Sequence, residues 1–186
     1  MEHYQNTIGI VIKTTTIKES DILVTLLTPQ LGKIICLAKG AKNIKSSRLG
    51  SLQLGNIIKA SLYRKNDYLW LSETTTVSQF LRDSKNLTQI NLLFYYLEIL
   101  NYFVAENQQL DGVYQVSESL IKSINDNQLA HFIKNEINFI EILGFGLPQE
   151  ISDYYQQKKY IDCQKIIKQF LESIIEKPLQ SSKLFN

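Results

Sequence analysis

Residues 37–50 read LAKGAKNIKSSRLG and carry Lys39, Lys42, Lys45 and Arg48 with no acid among them. The neighbourhood extends the pattern. Between positions 33 and 65 there are eight basic side chains, with Lys33, Lys59, Arg64 and Lys65 completing the set, and no Asp or Glu. Cations at this density can track a phosphate backbone, because each phosphate neutralised releases a condensed counterion. Gly40 and Gly50 let the main chain bend and approach closely. The segment LYRKNDYLWL, residues 62–71, places Arg64 and Lys65 beside Tyr63, Tyr68 and Trp70, and aromatic faces next to cations are what single-strand binders use. Lys33, Lys39, Lys42, Lys45, Arg48, Arg64 and Lys65 are therefore the candidate nucleic-acid contacts, and Tyr63 and Tyr68 the candidate stacking residues. Trp70 is assigned to the barrel core. A run of charge also suits a plain solvated surface, so charge by itself leaves that alternative open.

Catalytic constellations are not found. The chain has no G-x-x-x-x-G-K-[ST] loop, no G-x-G-x-x-G and no G-x-S-x-G elbow. His3 and His131 have no partner at metal-ligand spacing. Glu19 and Asp21 are the one close acidic pair of the first half, and a strand-entry turn accounts for them. Glu98, Glu136, Glu141 and Glu172 are assigned to polar helix faces. The expectation is a protein without enzymatic turnover, metal or cofactor.

The elements that must carry the cations follow from periodicity. Up to residue 76 the apolar positions alternate with period 2 between glycine and polar breaks, the strand signature. Strands are expected with Ile8, Ile10 and Ile12 on one face of the first, then at 22–27, 33–38, 54–63 and 68–75. Five short strands and one long loop predict a Greek-key barrel of the OB type, since closure removes exposed edges. Beyond residue 80 the period becomes 3.6. Apolar stripes run through Leu93–Val104, Leu129–Leu143 and Cys163–Ile175, with a weaker helix at 113–124 and breaks at 111–112, 125–127 and 144–148. The predicted architecture is two-domain, β then α: an OB-fold barrel over 1–80 and an α-helical domain over 81–186.

The net charge of +2 averages two unlike regions. Residues 1–80 hold ten basic and five acidic side chains, whereas 81–186 hold ten and thirteen, so the basic footprint is local. Cys36 and Cys163 stand alone, with no C-x-x-C. No basic leader precedes an apolar run, and no apolar stretch approaches the roughly 20 residues that span a bilayer. The expectation is a cytoplasmic, nucleoid-associated protein with no membrane partner.

Taken in order, residues 9–14, the triplet Glu19-Ser20-Asp21, LTPQLGK at 27–33, AKGA at 38–41 and SRLG at 47–50 resemble the RecO family of bacterial DNA repair proteins. ILGFGLP at 142–148 and the closing EKPLQSSKLF are similar to the same family's helical domain. The resemblance implies an OB fold followed by helices. It also implies a recombination mediator of the RecF pathway that binds single- and double-stranded DNA, anneals complementary strands and assists RecA loading. Its implied partners are the tail of single-strand-binding protein and RecR. The family's basic loop falls on Lys39, Lys42, Lys45 and Arg48. One departure stands out: many members carry a four-cysteine zinc module after LGFGL, whereas here Pro148 leads through QEISDYYQQKKY to Cys163 alone. A short loop running into the last helix is expected in its place. Lys122, Lys134, Lys165 and Lys168 are candidates for receiving an acidic peptide beside an apolar groove. Two other readings stay open: an RNA-binding OB module, which readout of the 2′-OH would distinguish, and a protein adaptor whose basic loop meets an acidic tail.

Overall fold

The computed structural model describes residues 4–43, 46, 48–80 and 86–181. Five strands close into a barrel in the order β1-β2-β3-β5-β4. They are β1 (Tyr4–Thr16), β2 (Ile22–Thr28), β3 (Gly32–Ala38), β4 (Ile57–Lys65) and β5 (Tyr68–Ser78). β3 and β5 run parallel, and the other pairs are antiparallel. Alternation sets the interior: Ile22, Val24 and Leu26 of β2, Ile34, Cys36 and Ala38 of β3, and Ile58, Ala60 and Leu62 of β4 meet Val11 and Leu71 in one buried cluster. The first strand departs from simple alternation. A bulge lies between Val11 and Lys13, and Ile10, Val11 and Ile12 are all buried. Val11, not the Ile8-Ile10-Ile12 face, supplies the barrel interior, because the register sets it opposite the interior Leu26 of β2.

The β2–β3 turn shows why residue 32 is glycine. Its φ is +65°, and a Cβ there would run into the backbone carbonyl of Gln108. Residues 104–110 belong to the same compact unit as the barrel. They lie along this turn through a bridge between Glu106 and Lys33, a hydrogen bond from Asn107 N to Lys33 O of 2.8 Å, and one from Gln109 Nε2 to Pro29 O of 3.0 Å.

The second compact unit contains α2 (Leu87–Phe103), α3 (Val113–Asn125), α4 (Leu129–Ile142), α5 (Gln149–Gln156) and α6 (Tyr160–Ile175). α1 (Arg48–Ser51) is a single turn inside the β3–β4 connection, too short to register as a period. α2 is apolar on nearly every side and buries Leu92, Leu93, Tyr95, Tyr96, Leu97, Ile99 and Leu100, while Leu87, Phe94 and Tyr102 stay exposed. Its Tyr95 and Tyr96 pack on Phe132 and Phe139 of α4, with centroids 6.5 and 5.6 Å apart. The Tyr96 hydroxyl donates to Ser117 Oγ at 2.7 Å.

Two expectations fail in this unit. The segment after Pro148 is a helix, α5, and not a loop: proline sits at its N-cap, where the missing N–H costs nothing, and Ile151 anchors it in the core. Glu136 does not lie on a polar face. It is fully buried, and Tyr95 donates to its Oε1 at 2.6 Å while Oε2 has no hydrogen-bond partner among the described residues. Burial pushes its carboxyl up to about 8. Two other acids are used by the chain end: Glu98 accepts from the amides of Gln180 and Ser181 at 2.8 and 2.9 Å, and Glu172 from Leu179 N at 2.9 Å.

Candidate nucleic-acid interface

The basic loop is fastened at its base. Asp21 Oδ1 accepts the amide of Gly40 at 2.8 Å, and Ser20 O accepts the amide of Lys42 at 3.1 Å. Gly40 has a φ of +64°, a conformation other residues adopt only with strain. Residues 20–21 thus hold the AKGA turn, which gives the ESD triplet a structural task. From this turn Lys39 and Lys42 project into solvent, and Lys42 Nζ donates to Thr16 Oγ1 at 2.6 Å. Lys45 lies outside the described residues.

Arg48 uses its charge differently. Its Nη1 donates to the carbonyls of Leu71 and Ser72 at 3.1 and 3.3 Å, and its Nη2 to that of Lys39 at 2.6 Å. It is half-buried and ties the loop to β5. Ser51 Oγ and Thr74 Oγ1, 2.5 Å apart, make a second tie. Asn56 then closes the connection, donating to the carbonyls of Gly50 and Ser51 and accepting the amide of Phe80 at 2.9 Å. A hollow of about 580 Å³ opens between loop and strand, lined by Gly40, Asn43, Ser46, Arg48 and residues 72–75 of β5.

Lys33 does not join this surface. It is only 5% exposed, beside Glu106. Burial lowers its pKa and the Glu106 carboxylate opposes that shift. An outward-pointing position on a strand was the only sequence signal, and the return of residues 104–110 covers it. Arg64 and Lys65 are exposed at the β4–β5 hairpin. Arg64 borders a cavity of about 500 Å³ at the barrel end, lined by Leu31, Ile34, Leu62 and Leu69, while Lys65 pairs with Tyr68 across the strands. Tyr68 is 65% exposed. Tyr63 is half-buried, with its ring near-parallel to that of Trp70 at 6.0 Å.

Trp70 is therefore not barrel core. It lies on the outer wall, outside the interior cluster, with its indole N–H donating to Lys65 O at 3.2 Å. Tyr4, which the sequence did not single out, packs on the other side of Tyr63 at 5.3 Å. Strand parity alone does not say which face of β5 turns inward. The hairpin register sets it, pairing interior Leu62 with Leu71 and so turning Tyr63 and Trp70 outward.

A closed five-stranded barrel in this order, with a tethered basic β3–β4 loop, defines an OB-fold domain. The family described as Recombination protein O N terminal matches residues 1–80. The DNA repair protein RecO of Clostridium novyi (strain NT) is 30% identical over 136 residues, 73% of this chain and 50% of its own length. Those of Chloroherpeton thalassium and Thermoanaerobacter sp. (strain X514) are 26% and 24% identical over 148 and 144 residues, 77% and 76% of this chain and 57% and 58% of theirs. Residues 1–80 thus match the N-terminal domain of the RecO family, and the chain is similar to curated RecO proteins, of whose length it spans little more than half.

Proposed function

We propose that this chain acts in DNA repair and homologous recombination as a non-enzymatic mediator. It binds single- and double-stranded DNA through the barrel, anneals complementary strands and assists RecA loading. The observation that carries the reading is the loop from Lys39 to Arg48, which presents Lys39 and Lys42 to solvent on a turn anchored by Asp21 and braced by Arg48. Lys39, Lys42 and Lys45 with Arg64 and Lys65 neutralise phosphates. Arg48 acts by shaping the loop, since its donors already serve three carbonyls. Annealing follows from electrostatics: cations between two backbones lower the repulsion that keeps complementary strands apart. The tail of single-strand-binding protein and RecR are the proposed protein partners, and the cytoplasm, at the nucleoid, the proposed compartment. Among the described residues no helix is long and apolar enough to cross a membrane.

The test is annealing of complementary oligonucleotides coated with single-strand-binding protein. Wild type should accelerate pairing, and a Lys39→Ala/Lys42→Ala/Lys45→Ala variant should not, while keeping its circular dichroism. Equal rates with and without folded wild-type protein would refute the annealing role. A preference for RNA over DNA of equal length would move the assignment to an RNA-binding module.

A further inference from the structure

The outer wall of the barrel carries a row that the basic loop does not explain. Tyr4 of β1 stands opposite Tyr63 of β4, Tyr63 opposite Trp70 of β5, and Trp70 opposite Leu37 of β3. Paired positions share a face, so their side chains meet. The rings are in contact, at 5.3 Å and 36° for Tyr4 with Tyr63 and 6.0 Å and 20° for Tyr63 with Trp70. Tyr68, two residues before Trp70 and on the same face, extends the row towards the hairpin. Cross-strand aromatic pairs stabilise sheets, which accounts for the half-buried Tyr63 and Trp70. It does not account for the surface that Tyr4 and Tyr68, 64% and 65% exposed, leave in solvent at the margins.

The charges beside this row select an anion. Lys65 pairs with Tyr68 in register. Lys39 follows Leu37 by two residues, about 7 Å along the chain, so the row runs into the foot of the basic loop. Arg64 lies at the hairpin. Among the described residues of the hairpin the carboxylates are Asp67 in the turn and Glu73, which stands opposite Ser61. An apolar protein segment would use the rings but not the flanking cations, and a bare polyanion would use the cations but not the rings. A single strand with unpaired bases uses both.

We propose that Tyr4, Tyr63, Trp70 and Tyr68 form a stacking platform for the bases of a single-stranded nucleic acid whose phosphates are held by Lys65 and Lys39. The platform rests on the nucleic-acid reading above and assigns the division of labour within it. The loop takes phosphates from any strand, and the aromatic row takes only bases free of a duplex. Recognition is tolerant of sequence, since every base has a π-face, but it requires bases.

The chain has one tryptophan, so its emission reports this row alone. The experiment titrates the full chain with three labelled ligands of about 15 nucleotides, near the upper site size of an OB fold: oligo-dT, an abasic strand of equal length, and a duplex. Anisotropy gives affinity, and Trp70 emission gives stacking. Oligo-dT should quench Trp70 and bind more tightly than the abasic strand. A Tyr4→Ala/Tyr68→Ala variant, which removes only exposed rings, should bind oligo-dT roughly tenfold or more weakly and the abasic strand as before. Equal binding of oligo-dT and abasic strand with unchanged emission would overturn the platform and leave the nucleic-acid reading standing. Failure of all three ligands to bind the folded protein at low salt would overturn both.

Discussion

Glu136→Gln should make the helical unit more stable at alkaline pH and remove most of its pH dependence. The carboxyl is fully buried, accepts one hydrogen bond from Tyr95 and is pushed by burial from 4.5 to about 8. Tyr95, held well above its usual value by burial and then by Glu136, stays protonated throughout the range concerned, and Cys163, which also feels Glu136, remains a thiol. Below pH 4.5 the carboxyl is protonated in both folded and unfolded chains and costs nothing. As pH rises the unfolded chain releases its proton first, so stability falls from about pH 4.5 until the folded group ionises near pH 8, and is flat above. At 1.36 kcal/mol per pH unit the full loss is about 5 kcal/mol, of which about 3 kcal/mol is present at pH 7. Glutamine keeps the acceptor for Tyr95 and cannot ionise. Its amide nitrogen takes the place of an oxygen that has no partner among the described residues, a penalty of roughly 1–3 kcal/mol. The variant should therefore fall below wild type by up to about 2 kcal/mol at pH 5 and exceed it by about 2–4 kcal/mol at pH 8.5. Urea unfolding followed at 222 nm, where the helices dominate, measures both. Wild-type stability that is flat from pH 5 to 8.5, or a variant weaker at every pH, would refute the reasoning.

Gly32→Ala should destabilise the barrel by more than about 2 kcal/mol, read as a drop in melting temperature, because the new Cβ meets the Gln108 backbone at positive φ. Arg48→Ala should cost roughly 2–3 kcal/mol through three lost charge-assisted bonds and speed amide exchange at Gly40 and Lys42, whereas Lys39→Ala/Lys42→Ala should leave stability nearly unchanged and weaken DNA binding. If four to five phosphates are contacted, the log-log salt slope for a single strand should be about −3, and the Lys39→Ala/Lys42→Ala pair should make it shallower by about 1.4. A slope near zero would remove the electrostatic basis of the proposed function.

Alternation and the switch from period 2 to 3.6 were enough to read a barrel followed by helices, since these patterns arise from which side chains must leave water. The basic stretch was equally plain, because a run of lysines without acids needs no tertiary information to be seen. The chain could not reveal how each cation is employed. Lys33 and Lys39 look alike in sequence, but the return of residues 104–110 buries the first and leaves the second in solvent. Arg48 resembles its lysine neighbours, yet its planar fork of donors finds carbonyls that lie 23 and 24 positions away at Leu71 and Ser72. The aromatic row was hidden for the same reason: Tyr4, Tyr63 and Trp70 become neighbours only through register across three strands. Glu136 has the look of a surface acid until α2 and α4 enclose it with Tyr95. Local periodicity thus determines the elements, whereas exposure, pairing and protonation depend on contacts between residues distant in sequence, and only tertiary structure decides them.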